Sequence, residues 1–200
     1  MDISLNTVRE IPNYLTYLRL ILIPLFVWLM IEPSRSMVYW ATAVFVIAAA
    51  TDYLDGFVAR KFGAVSEAGK LLDPLADKLL VMSALVMLVA QRSDLYGEPW
   101  VPGWMVVVIL GREIWVTGLR AVAAAGGTII AAGSAGKFKS FLQMLAIMLL
   151  LLHDLRFPFL GTVTCQIVGL YMLLISIVFS VWGAMEYTTL VLQPKNQAGS

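Results

Sequence analysis

Six stretches of this chain approach the ~20 consecutive apolar residues that a helix needs to cross a hydrocarbon layer. None alternates apolar and polar residues as a barrel strand does. They run Tyr14–Ile31, Met37–Val58, Gly69–Ala90, Trp100–Ala125, Lys139–Leu152 and Phe159–Thr188. Inside lipid an unpaired backbone amide has no water to bond, so stretches of this kind fold as helices that satisfy their own hydrogen bonds. The expected fold is all-α, a polytopic membrane protein with six transmembrane helices. Composition agrees, with 60% apolar and 14% charged residues, where an average soluble domain has ~45–50% and ~25%. At 200 residues there is room for one domain, 1–200, and none for a second beside so many spans.

The first dozen residues place Leu5, Val8 and Ile11 among polar ones, the pattern of a short N-terminal interfacial helix. No short apolar core with a small-residue cleavage site follows them, so the first span is expected to stay in the mature protein. Cys165 is the only cysteine, which leaves no intrachain disulfide or cysteine metal site and makes it a small hydrophobe. Ala121–Gly136 is mostly Ala and Gly. It reads either as a flexible linker or as a loop whose bare backbone admits a substrate closely. With the N-terminus cytoplasmic, eleven Lys and Arg residues fall on the cytoplasmic side and three, Arg35, Arg92 and Arg156, on the other. That asymmetry orients the chain. Tyr39, Trp40, Tyr96, Trp100 and Trp104 then lie near the outer boundary, where aromatic belts form.

Charge inside the spans is concentrated. From Thr51 the chain reads TDYLDGFVARKFGAVSEAGKLLDPLADK. Asp52 and Asp55 are three apart, and Asp73 and Asp77 four apart, so each pair shares one helix face. A short connection folding the second and third spans antiparallel brings the four carboxylates to one place. An aspartate at mid-bilayer costs roughly 2.5–3.5 kcal/mol, and four repel one another, so something cationic must offset them. Oxygen ligands without His or Cys favour Mg²⁺, Mn²⁺ or Ca²⁺ over zinc, and two Mg²⁺ ions would balance the charge. The plainer account makes them helix caps and solvated charges paired with Arg60, Lys61, Lys70 and Lys78; it explains any one aspartate and explains four poorly. Gly56 and Gly69 permit close approach, and Pro74 is expected near the start of the third helix, where a missing N–H is cheap.

The pattern Asp52-x₂-Asp55-Gly56-x₂-Ala59-Arg60-x₈-Gly69-x₃-Asp73-x₃-Asp77 resembles the complete signature of the CDP-alcohol phosphotransferase family. The segments Asn13-x-x-Thr16-x-x-Arg19, Gly111–Ile114 through Gly118–Arg120, and Gly136-Lys137-x-Lys139 are similar to the bacterial phosphatidylglycerophosphate synthases within it. The resemblance covers essentially the whole chain. It implies that Asp52, Asp55, Asp73 and Asp77 hold two divalent ions, Mg²⁺ or Mn²⁺, with Asp77 also the general base. It implies CDP-diacylglycerol as donor, bound by Asn13, Thr16, Gly56, Arg60, Ser66 and Gly69, and glycerol 3-phosphate as acceptor. It further implies a homodimer in the bacterial inner membrane, multi-pass, with its site on the cytoplasmic side. Nucleic acid is not an expected partner.

A phosphorylated acceptor needs cations. Arg112 and Arg120 are eight apart, so they project from similar faces of the fourth span about 12 Å apart along its axis. With Lys137 and Lys139 they form the candidate acceptor-phosphate site, arginine being suited to bidentate phosphate binding. The structural alternative is positive-inside anchoring, with Glu113 as the ion-pair partner of Arg112. His153, the lone histidine, reads as a loop or interfacial residue beside Asp154. Other acceptors within the family remain open, as in a cardiolipin synthase or an inositol-phosphate transferase. From another class, a divalent-cation transporter also places carboxylates in a membrane, although here no acid line continues outward through the later spans.

Overall fold

A computed structural model describes the backbone of residues 3–62, 67–92, 97–126, 134–156 and 163–192. It describes the side chains of these residues except 3–13, 52–62, 67–71, 73 and 134–138. The six expected helices are present: α1 Ile3–Leu29, α2 Arg35–Phe62, α3 Glu67–Ala90, α4 Gly103–Ala125, α5 Ser134–Leu151 and α6 Cys165–Leu192. No strand occurs among the described residues, only isolated bridges at Arg92–Pro99 and Arg156–Thr164.

Short connections make successive helices antiparallel, so the bundle has two ends. At one end meet the C-termini of α1, α3 and α5 and the N-termini of α2, α4 and α6. There Gln91 Nε2 donates to the Met30 carbonyl at 2.7 Å, and Arg35 pairs with Asp154 at 3.4 Å. His153 stacks on Trp100 with ring centroids 3.6 Å apart. The apolar core fills the adjoining half: Phe26 and Phe45 meet with centroids 6.0 Å apart, among Met30, Leu85, Leu88, Leu150 and Leu173. The other half buries polar side chains instead, including Thr16, Arg19, Thr51, Lys139, Gln143 and Ser180. Helices α5 and α6 pack closely because position 169 is glycine. A Cβ there would lie 2.8 Å from Leu150 Cγ and 3.1 Å from the Ala146 carbonyl oxygen.

Four expectations change. The short N-terminal helix is not separate, because α1 runs unbroken from Ile3 and the spacing of Leu5, Val8 and Ile11 carries the helical period into the first span. Pro74 is not near a helix start: α3 begins at Glu67, two turns earlier, and the proline leaves one carbonyl of the preceding turn without its usual donor. Trp100 is buried against His153 and takes no place in an outer belt, whereas Tyr39, Trp40 and Trp104 are exposed; Tyr96 lies outside the described residues. Ala121–Ala125 belongs to α4 and Ser134–Gly136 to α5, alanine being the best helix former, so the Ala/Gly-rich connection is shorter than its composition suggests.

Among the described residues α6 alone is long and apolar enough to cross a membrane by length and composition. Shorter apolar stretches occupy Tyr14–Leu29, Arg35–Thr51 and Lys139–Leu151, because the polar half interrupts those helices. The outer surface nevertheless exposes large apolar side chains all round, among them Ile21, Trp28, Val107, Ile114 and Trp182.

Candidate active site

The polar half owes its character to where α2 ends and α3 begins. Asp52 and Asp55 lie on the last turns of α2, and Asp73 and Asp77 on the first turns of α3. The two helices pack against each other, so the backbone sets both carboxylate pairs at the same end of the bundle. Asp77 is the one whose side chain is described. It is half-buried, with one carboxylate oxygen enclosed. The side chains of Asp52, Asp55, Asp73, Gly56, Arg60 and Gly69 lie outside the described ones, as do Asn13 and Lys137; Ser66 lies outside the described residues altogether. An all-oxygen donor set at the facing ends of two antiparallel helices fits hard divalent cations.

Two hollows flank α4. The larger, a groove of about 470 Å³ between α4 and α6, has Arg112 as its sole charged lining residue. The smaller, about 70 Å³, lies among α3, α4 and α5 and is lined by Asp77, Lys78, Glu113 and Lys139, with Gln143 and Ser140 beside them. Chemistry follows the charge and not the size, so the smaller cavity is the candidate site.

Its walls are cross-tied. Glu113 Oε1 accepts from Arg112 Nη1 at 2.8 Å and also from Lys139 Nζ across the cavity. One turn along α4, Thr117 Oγ1 accepts from Lys78 Nζ and donates to the Glu113 carbonyl oxygen at 2.6 Å. Lys139 is almost wholly buried, and an ammonium taken out of water needs a carboxylate or a comparable acceptor beside it. Glu113 supplies that acceptor.

The expected acceptor-phosphate residues do not all meet here. Lys139 lines the cavity with Asp77. Arg112 reaches it only through Glu113, its Nε donating to the Ser180 carbonyl of α6 at 3.0 Å. Arg120 also faces α6, its guanidinium carbon 5.7 Å from the Tyr187 ring centroid. Thr16 is buried on α1, one turn from the fully buried Arg19. His153 lies at the far end of the bundle in the connection after α5, 3.0 Å from Asp154, so the reading of it as a loop residue holds.

The sequence profile of the CDP-alcohol phosphatidyltransferases matches residues 9–182, a span that contains every described residue of this cavity. The chain belongs to that family. Relatives of this CDP-alcohol phosphatidyltransferase include a protein from Bacillus subtilis, 44% identical over 160 residues that cover 74% of this chain and 79% of the relative. Another, from Pseudomonas fluorescens, is 37% identical over 184 residues, 89% of this chain and 88% of the relative. A third, from Haemophilus influenzae, is 34% identical over 180 residues, 89% and 91%. All three bear the name CDP-diacylglycerol–glycerol-3-phosphate 3-phosphatidyltransferase. The family resemblance read from the aspartate motif is thus borne out.

Thr117, Ser140 and Gln143 escaped the sequence reading, Lys78 entered it only as a charge paired with the aspartates, and Glu113 only as a partner for Arg112. Some signal was present. Lys78 adjoins Asp77, Thr117 follows Glu113 by one turn, and Gln143 follows Lys139 by one turn. Which neighbour each would face depends on helix packing.

Proposed function

We propose that this CDP-alcohol phosphatidyltransferase moves the phosphatidyl group of CDP-diacylglycerol onto sn-glycerol 3-phosphate, forming phosphatidylglycerophosphate and releasing CMP. The observation that carries the reading is the cavity in which Asp77 stands beside two lysines, in a chain similar over most of its length to relatives of that name. Asp77 takes the proton of the acceptor hydroxyl as its oxygen bonds to the β-phosphorus; the bond from that phosphorus to the CMP oxygen breaks, and CMP leaves with the electron pair. Proximity and charge stabilisation do most of the work in such a transfer.

Asp52, Asp55, Asp73 and Asp77 would hold the divalent metal the family uses, two Mg²⁺ or Mn²⁺ ions in this reading. Held there, a divalent metal would supply charge neutralisation for the diphosphate and polarisation of the phosphorus under attack. Asn13, Thr16, Gly56, Arg60, Ser66 and Gly69 bind the CDP-lipid. Lys139, Lys137, Arg112 and Arg120 supply the positive field for the acceptor phosphate, Lys139 from inside the cavity. The exposed apolar belt supports a multi-pass protein with all six helices in the membrane. The distribution of Lys and Arg supports a cytoplasmic site in a bacterial inner membrane. As read from the family resemblance, the enzyme is a homodimer.

The test is release of CMP by purified protein in detergent with CDP-diacylglycerol, a divalent metal and a panel of alcohols: glycerol 3-phosphate, inositol phosphate, serine and phosphatidylglycerol. Metal-dependent turnover with glycerol 3-phosphate, reduced at least ~100-fold in Asp77→Asn, is expected. Turnover confined to another alcohol overturns the acceptor assignment; turnover undiminished in Asp77→Asn overturns the base.

A further inference from the structure

Both lysines beside Asp77 are held by α4. Glu113 engages Lys139 of α5, and Thr117 engages Lys78 of α3. Among the described residues α4 packs against α3 and α6 and makes no close backbone approach to α5, so the Glu113–Lys139 pair spans the cavity. The Thr117 hydroxyl is itself oriented, because its proton goes to the Glu113 carbonyl oxygen at 2.6 Å and its lone pairs are left to face Lys78. A lysine on four rotatable bonds keeps its ammonium in one place only where a fixed acceptor holds it, and Glu113 and Thr117 are those acceptors here.

We propose that Glu113 and Thr117 are positioning residues: one turn apart on α4, they hold the Lys139 and Lys78 ammonium groups at the wall of the cavity, so that the phosphate of the acceptor is seated between them. Neither α4 residue need touch the reacting atoms. Lys78, a residue the motif itself does not use, becomes part of the acceptor seat. The assignment rests on the transfer reaction given above and adds to it what fixes the two cations within one small cavity.

The experiment measures KM for glycerol 3-phosphate and for CDP-diacylglycerol in Glu113→Gln and Thr117→Val, with Glu113→Asp and Thr117→Ser as conservative partners. Glu113→Gln is expected to raise KM for glycerol 3-phosphate about tenfold or more, in line with losing a charge-assisted hydrogen bond. Thr117→Val raises it about fivefold, the effect of one neutral acceptor. KM for the lipid stays within about twofold in both, and Thr117→Ser restores the wild-type value. A purely structural role would move both KM values together or lower kcat alone, and either pattern overturns the assignment, as does an unchanged acceptor KM. Failure of the transfer reading shows itself separately, as wild-type protein that releases no CMP with glycerol 3-phosphate. The tethers are then read from the rise in melting temperature that inorganic phosphate produces. A smaller rise in both variants than in wild type supports them, and an equal rise in all three overturns them.

Discussion

The two ends of the bundle each carry an ion pair between segments far apart in the chain, and the pairs could hardly be more different in setting. At the end away from the cavity Arg35 and Asp154 meet with 78% and 49% of their side chains exposed. In the cavity Lys139 and Glu113 meet with 6% and 20% exposed. Water already satisfies the first pair, so their meeting gains ~0–1 kcal/mol. The second pair has given up its water, so each member depends on the other. The difference teaches where this fold can afford charge. The half with the close-packed apolar core leaves its described charged residues at the rim, and the half with the candidate site buries Lys139 and Glu113 as a tied pair.

If that contrast is right, Lys139→Met should produce the largest stability loss of three substitutions. It strands a buried carboxylate, and because Arg112 still contacts Glu113 the cost falls near the lower end of the range for a broken buried pair, about 3 kcal/mol. Thermal unfolding in detergent checks this, and the double variant Lys139→Met with Glu113→Leu should recover most of the loss. A single variant as stable as wild type would erase the distinction between the two ends.

Gly169→Leu sharpens the comparison from the apolar half. The new side chain would meet Leu150 and the backbone carbonyl of Ala146, and a carbonyl in a helix cannot step aside as a side-chain tip can. A loss of about 1–3 kcal/mol is expected, with KM for both substrates unchanged in the protein that remains folded. The smallest effect belongs to Arg35→Ala, below about 1 kcal/mol and smaller still in high salt, with wild-type CMP release. A larger loss there would show that this end is more tightly organised than its exposure implies.

Much of the fold was legible because each apolar run is long and the polar breaks between runs are short. The aspartate positions were legible for the same local reason: spacings of three and four read directly onto a helix face. What escaped turned on tertiary partners and on where one helix begins. Arg112, Arg120 and Lys139 look alike in sequence, three cations near one end of the bundle, yet Arg112 and Arg120 turn to α6 while Lys139 enters the cavity. Trp100 looked like a belt residue and is a stacking platform for His153. Pro74 looked like a helix-start residue, and the helix begins two turns before it. For the cations and Trp100 the sequence specifies a residue type and its place in the chain, while the partner comes from a distant segment.

Helix number, antiparallel order, the family and the carboxylate motif were therefore matters of sequence alone, since each follows from periodicity and spacing within one or two consecutive segments. The assignment of Lys78 to Thr117 and of Lys139 to Glu113 was decided by tertiary structure. Those pairs join residues thirty-nine and twenty-six positions apart, on helices whose rotation about their own axes is set by packing. No local spacing encodes that rotation, because burying the apolar faces of six helices together is a property of the whole bundle.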